Sequence, residues 1–141
     1  LTYWSLFSLR NFRRFVAAKH YKMEKLTKQE EEVMQVIWRL GTCGIKDIVD
    51  LLPPPQPPYT TVASVVSKLK RKQYVAQAKD GKAYVYEPAI AENDYKRRFM
   101  KGFVRDYFRS SFKEMVSFFA RNEQLTEQDL RDIIKEIEQN G

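Results

Sequence analysis

Three amphipathic helical stretches in succession, an Asp-Gly hairpin signal directly behind them and a second set of three helical stretches predict a mainly α fold of the α+β class. In that order the first four elements are those of a winged helix-turn-helix, and the rest form a C-terminal helical segment. The length of 141 residues suits a small domain with an appendix, and 43% apolar content belongs to a chain that folds.

Residues 1–22 (LTYWSLFSLRNFRRFVAAKHYK) differ in character from the rest of the chain. Their charges come after the apolar residues, the reverse of a signal peptide. They are read as an upstream extension from a misplaced start, with Met23 as the natural beginning. The other reading is an amphipathic helix lying on a membrane or a partner. A DNA-binding domain is expected over 23–89 and a helical dimerisation domain over 90–141.

Thr27 and Glu30 have the spacing of a capping box, so a helix starts there. Val33, Val36, Ile37 and Leu40 recur at helical spacing, and Gly41 stops the run. Thr42, Cys43 and Gly44 read as a turn. A short second helix puts Ile45, Ile48, Val49 and Leu52 on one face and ends at the run Pro53-Pro54-Pro55-Gln56-Pro57-Pro58, which no helix can cross. That run reads as a stiff turn in preference to a polyproline ligand.

The third helix is expected from about Thr60 to about Gln73, with Val62, Val65, Val66 and Leu69 inward. Strands Tyr74–Ala78 and Ala83–Glu87 should flank the turn Lys79-Asp80-Gly81-Lys82, and Pro88 closes the unit. Beyond it, helices are expected over Glu92–Phe108, over Ser110–Arg121, and after a Thr126 cap with Leu130, Ile133, Ile134 and Ile137 on one face.

The net charge of +7 matters less than its placement. Residues 1–22 hold five basic side chains and no acid, so the other 119 residues sum to only +2. Tyr59 to Tyr86 carries six basic residues against Asp80 alone, whereas from Glu114 onward seven acids face three bases. Basic charge confined to one stretch is what a phosphate-facing surface needs.

A winged helix-turn-helix places its third helix in the major groove and its wing on the backbone. The outward face of helix three offers Thr60, Thr61, Ala63, Ser64 and Ser67, small enough for close approach to base edges. Lys68 and Arg71 come next, where phosphates would lie, and Lys79, Lys82 and Tyr84 stand on the wing. These ten are the candidate DNA-binding residues. The rival reading, a winged helix used as a protein docking surface, explains the aromatic tail equally well but not the basic helix.

The tail itself cannot bury its apolar stripes alone. Phe103, Tyr107, Phe108, Phe112, Met115, Val116, Phe119, Ile133 and Ile137 are therefore the candidate dimerisation residues of a homodimer. Catalysis finds no support: there is no Gly-rich phosphate loop and no His–carboxylate or Cys–His arrangement. Glu30, Glu31 and Glu32 are more simply a complement to the helix dipole. One cysteine and one histidine (Cys43, His20) suit neither a disulfide nor a structural zinc, and Cys43 reads as an unremarkable small turn residue without a redox role. No metal, cofactor or small-molecule substrate is expected. Nor is any stable membrane association, since no apolar run reaches about 18 residues. The expected compartment is the cytoplasm.

Leu26 to Trp38 (LTKQEEEVMQVIW) resembles the opening of the penicillinase repressor family of BlaI/MecI type, whose first helix ends in a similar Val-x-x-Ile-Trp. Tyr59 to Leu69 (YTTVASVVSKL) resembles that family's recognition helix, and Tyr107 to Val116 (YFRSSFKEMV) its dimerisation segment. The resemblance implies a homodimer on a palindromic double-stranded operator, repressing genes of β-lactam resistance or related stress responses. It also implies release through a membrane-bound sensor protease. The family's cleaved Asn-Phe bond aligns with Gly102-Phe103, with Gly in place of Asn. The cysteine-rich tail of the family's copper-responsive branch is missing from the terminal Glu138-Gln-Asn-Gly141.

Overall fold

The computed structural model describes residues 23–141, so the expectations for 1–22 fall outside the described residues. The chain packs as two compact units divided between Asp94 and Tyr95.

In the first unit, α1 (Lys28–Leu40) begins at the expected capping box. Thr27 Oγ1 accepts from Glu30 N at 3.2 Å, and Glu30 Oε2 accepts from Thr27 N at 2.9 Å. Val33, Val36 and Ile37 are buried, and so is Met34, which widens the expected stripe by one position. Leu40, expected in that stripe, is 36% exposed, because it occupies the last turn before Gly41 (φ +76°) swings the chain away.

Cys43 is not merely part of a turn. It pairs antiparallel with Tyr86, donating to Tyr86 O at 2.9 Å and accepting from Tyr86 N at 2.7 Å. One residue of extended chain thus covers an edge of the wing, satisfying backbone groups that would otherwise be orphaned. α2 (Ile45–Leu51) comes next, with Ile45, Ile48 and the flanking Leu52 buried.

α3 spans Tyr59–Arg71 and buries Val62, Val65, Val66 and Leu69 as expected. It stops short of Gln73. Gln73 takes φ +67°, its N–H bonds Lys70 O at 3.0 Å, and the next N–H, from Tyr74, bonds Leu69 O at 2.9 Å. Those two bonds are a Schellman motif, with glutamine where glycine is usual. A left-handed non-glycine residue costs about 1–2 kcal/mol, of which glycine's extra chain entropy would give back about 0.5–1. Gln73→Gly should therefore raise stability by about 0.5–1 kcal/mol. Urea unfolding checks this: the midpoint should rise at constant slope, and a lower midpoint would contradict the reading.

β1 (Val75–Asp80) and β2 (Ala83–Pro88) form an antiparallel hairpin running from Val75 opposite Pro88 to Asp80 opposite Ala83. The ladder reaches further than expected, so Lys79 and Asp80 belong to the strand and the turn shrinks to Gly81-Lys82. Gly81 carries the one positive φ (+65°), at the first central position of a two-residue turn, as in type II′. The unit is then tied at its edges. Tyr74, almost wholly buried, donates its hydroxyl to Glu24 O at 2.6 Å, and Trp38 Nε1 donates to Ile90 O at 2.8 Å. Three helices, a two-stranded wing and the Cys43 rung make a winged helix-turn-helix.

α4 (Glu92–Phe108) starts in the first unit, and α5 (Phe112–Arg121) and α6 (Glu127–Asn140) lie in the second. α5 begins two residues later than expected. Arg109 and Ser110 take positive φ, and Ser111 caps the helix by accepting from Glu114 N at 3.2 Å. α6 starts at the expected Thr126, whose Oγ1 accepts from Asp129 N at 3.1 Å while Asp129 bonds back at 2.9 Å. Those bonds to Thr126 hold the Asp129 carboxyl below its ordinary value.

Candidate nucleic-acid interface

α3 repeats its valines and leucine at helical spacing, which leaves the opposite face outward. Successive residues turn by about 100°, so Thr60, Ser64, Ser67 and Arg71 form one outward row roughly 16 Å long. All four are exposed, as is Lys68 beside them, whereas Thr61 and Ala63 on the flanks are half-buried. No acidic residue lies in the first turn of α3, and its last turn carries Lys68, Lys70 and Arg71. Pro58 stands at the N-cap and supplies no side-chain acceptor. Thr61 N already bonds Pro58 O at 3.0 Å, which leaves the Tyr59 and Thr60 amides to whatever approaches, an arrangement that favours anions.

The wing brings the second group of candidates together. Lys79 and Tyr84 are directly cross-strand, with the Lys79 ammonium 5.4 Å from the Tyr84 ring centre. Both are exposed, as is Lys82 in the turn. Lys70, at the C-terminal end of α3, hydrogen-bonds Gln77 on β1 and couples helix to wing. Sequence reasoning passed over Tyr59, which is 57% exposed at the first position of α3. Tyr59 and Tyr84 lie close enough to Tyr86 to act on its hydroxyl: burial first, then these two neighbours, push the Tyr86 pKa up. Tyr59 is thus an electrostatic neighbour of Tyr86 on β2, a relation concealed in the sequence by the 27 positions between them.

Lys72, counted in the basic stretch of the sequence, is not available to a ligand. Its ammonium pairs with Glu30 at 2.8 Å, and the two side chains are only 11% and 5% exposed. It also donates to Lys25 O at 3.2 Å. Burial alone would raise the Glu30 carboxyl. The bond from Lys72, the Thr27 amide and the nearby positive charges of Lys72 and Lys68 outweigh it and hold the carboxyl below its ordinary value. Glu30 is thus more than a dipole complement: it joins the start of α1 to the end of α3.

The candidate dimerisation residues lie on α4, α5 and α6. Phe103 packs against Tyr107 and Phe108 at centroid distances of 4.9 and 5.9 Å, and Phe108 meets Phe118 edge-on at 5.7 Å. Phe103, Phe108, Met115 and Phe119 are half-buried. Tyr107, Phe112, Val116, Ile133 and Ile137 are exposed, Tyr107 and Ile137 by 74% and 66%. Phe118 and Ile134, exposed on the same helices, were outside the expected set. Neither α5 nor α6 contains a single buried residue.

Burial, and secondarily Asp47, pushes the Cys43 thiol up to about 11, which leaves it protonated and unreactive near neutral pH. Among the described residues no helix is long and apolar enough to cross a membrane.

The penicillinase repressor family model matches residues 26–139, which takes in both units. The penicillinase repressor of Staphylococcus aureus is 27% identical over 120 residues, covering 82% of this chain and 95% of that protein. That of Bacillus licheniformis is 24% identical, covering 84% and 94%. The methicillin resistance regulatory protein MecI of Mammaliicoccus sciuri is 22% identical, covering 79% and 92%. Among solved structures, the monomeric form of Bacillus licheniformis BlaI in complex with the blaP half-operator is 28% identical over 52% of this chain and 92% of that chain, with a TM-score of 0.45. The matched residues take in the capping box, α3 and the helical tail, and this chain belongs to the penicillinase repressor family.

Proposed function

We propose that this chain is a transcriptional repressor that binds operator DNA as a homodimer, with α3 in the major groove and the wing on the phosphate backbone. The observation that carries this reading is the outward face of α3, where small hydroxyl side chains are followed by Lys68 and Arg71 with no acid among them. Such a face reaches base edges and tolerates phosphates, and it has no other evident use on a helix whose opposite face is wholly core. The homodimer is supported by α6, which puts Ile133, Ile134 and Ile137 in solvent in the single chain. A two-fold pair would set two recognition helices about 34 Å apart, one turn of duplex. Work on operator DNA puts the protein in the cytoplasm.

The bond aligned with the family's cleavage point, Gly102-Phe103, lies in the interior of α4, and both residues are half-buried. A sensor protease acting there must first open the helix. Gly102 lowers that cost by about 0.5–1 kcal/mol relative to alanine.

A binding titration on the promoter of its own gene tests the reading. With about four phosphates neutralised per protomer, log affinity of the dimer should fall with log salt at a slope of about −7. A slope near zero excludes the DNA reading and returns the winged helix to a protein-docking role.

A further inference from the structure

We infer that α4 carries a second phosphate-contacting surface, the row Arg98, Lys101 and Arg105, which engages the backbone of the bound duplex. The inference rests on the DNA-binding reading and extends it to a helix that reading does not use.

From the start of α4 at Glu92 to Lys113 the chain holds seven basic side chains against Glu92, Asp94 and Asp106, a local charge of +4. Within α4, Arg98, Lys101 and Arg105 are spaced i, i+3, i+7 and share one face over roughly 10 Å. Lys101 and Arg105 are exposed and Arg98 is half-buried. Among the described residues Arg98 and Lys101 have no ion pair, and the one that Arg105 makes, with Asp106 at 3.0 Å, is between side chains 70% and 61% exposed and readily exchanged. Lys96 and Arg97 do have partners within the chain and are left out of the row. Like charges at these spacings weaken a helix by about 0.2–0.5 kcal/mol per pair. Asp106 offsets that repulsion at Arg105 alone.

Phosphates supply what the row lacks. A duplex presents phosphates continuously along each strand, and a row of roughly 10 Å spans more than one of them. The competing acceptor is the acidic α6 of a second copy. Over its first turns Glu127 pairs with Arg131, Asp129 accepts from Thr126 N and Asp132 accepts from Gln128. Loss of the dimer in the variant below is the outcome that identifies α6 as the acceptor.

The test is the full chain with Arg98→Gln, Lys101→Gln and Arg105→Gln together. Glutamine keeps helix propensity, and circular dichroism checks that the fold is unchanged. The triple variant should bind its own promoter and an unrelated duplex about tenfold or more weakly alike, with the salt slope shallower by at least about two units and the dimer intact in sedimentation. An unchanged slope in the variant, beside a steep slope in the parent, overturns the inference while the repressor reading stands. Loss of the dimer with an unchanged slope also overturns it and assigns the row to the protein interface. A parent chain that fails to bind the promoter at all removes both.

Discussion

Ser64→Glu should cost at least about a hundredfold in affinity for the promoter while leaving the fold and the dimer unchanged. Ser64 sits in the middle of the outward row of α3, between Thr60 and Ser67, and its side chain is exposed. The core face made by Val62, Val65, Val66 and Leu69 is untouched by the change, and glutamate is a better helix former than serine. The effect is confined to what the face can meet. In the groove a carboxylate there would confront base acceptors and the nearby phosphates, and like charges brought together at an interface cost several kcal/mol. About 2.7 kcal/mol is already a hundredfold. Lys68→Gln should behave differently, weakening every duplex by a similar factor and lowering the salt slope by about one unit per contact. Fluorescence anisotropy on the promoter and on an unrelated duplex separates the two. Retention of promoter affinity within about threefold in Ser64→Glu would remove α3 from the groove.

The face that carries this prediction is legible in the sequence, because helical period and side-chain size are local properties. Spacing alone assigns the four buried residues of α3, and the same spacing puts the small hydroxyls outside. Features that depend on distant parts of the chain are not legible. Cys43 reads as a turn residue because its partner, Tyr86, lies 43 positions away across the wing. Lys72 reads as one more cation because Glu30, which neutralises it, lies 42 positions earlier. Gln73 reads as helix, since no local rule puts glutamine at a left-handed cap. The α4 row is hidden for another reason: basic residues interleaved with Met100, Phe103, Val104, Tyr107 and Phe108 read first as an amphipathic stripe. The three-dimensional structure separates the exposed Lys101 and Arg105 from the buried Val104 on the same helix.

The Glu30–Lys72 pair leads to the largest expected effect on stability. Its ammonium and carboxylate are almost out of solvent, so removing one leaves the other buried without a partner, a change that typically costs about 3–5 kcal/mol. Glu30→Gln keeps the shape and can still accept the Thr27 amide of the capping box, so it isolates the charge. A loss of about 2–3 kcal/mol is expected at pH 7, below the typical range because Lys72 retains its bond to Lys25 O and some access to water. Adding Lys72→Met should restore more than half of that loss, since the orphaned charge disappears. The pH dependence has a definite sign. The folded carboxyl lies below its ordinary value, so its contribution is complete above the unfolded pKa of about 4.3 and fades as pH falls through the folded value. The parent should thus lead the Glu30→Gln variant by a constant margin above about pH 5.5 and lose that lead on acidification below about pH 4. Urea unfolding at several pH values measures both quantities. A margin under about 1 kcal/mol at pH 7, or one that persists unchanged in acid, would mean that Glu30 acts only as a helix cap and that the tie between α1 and α3 is made by the apolar core alone.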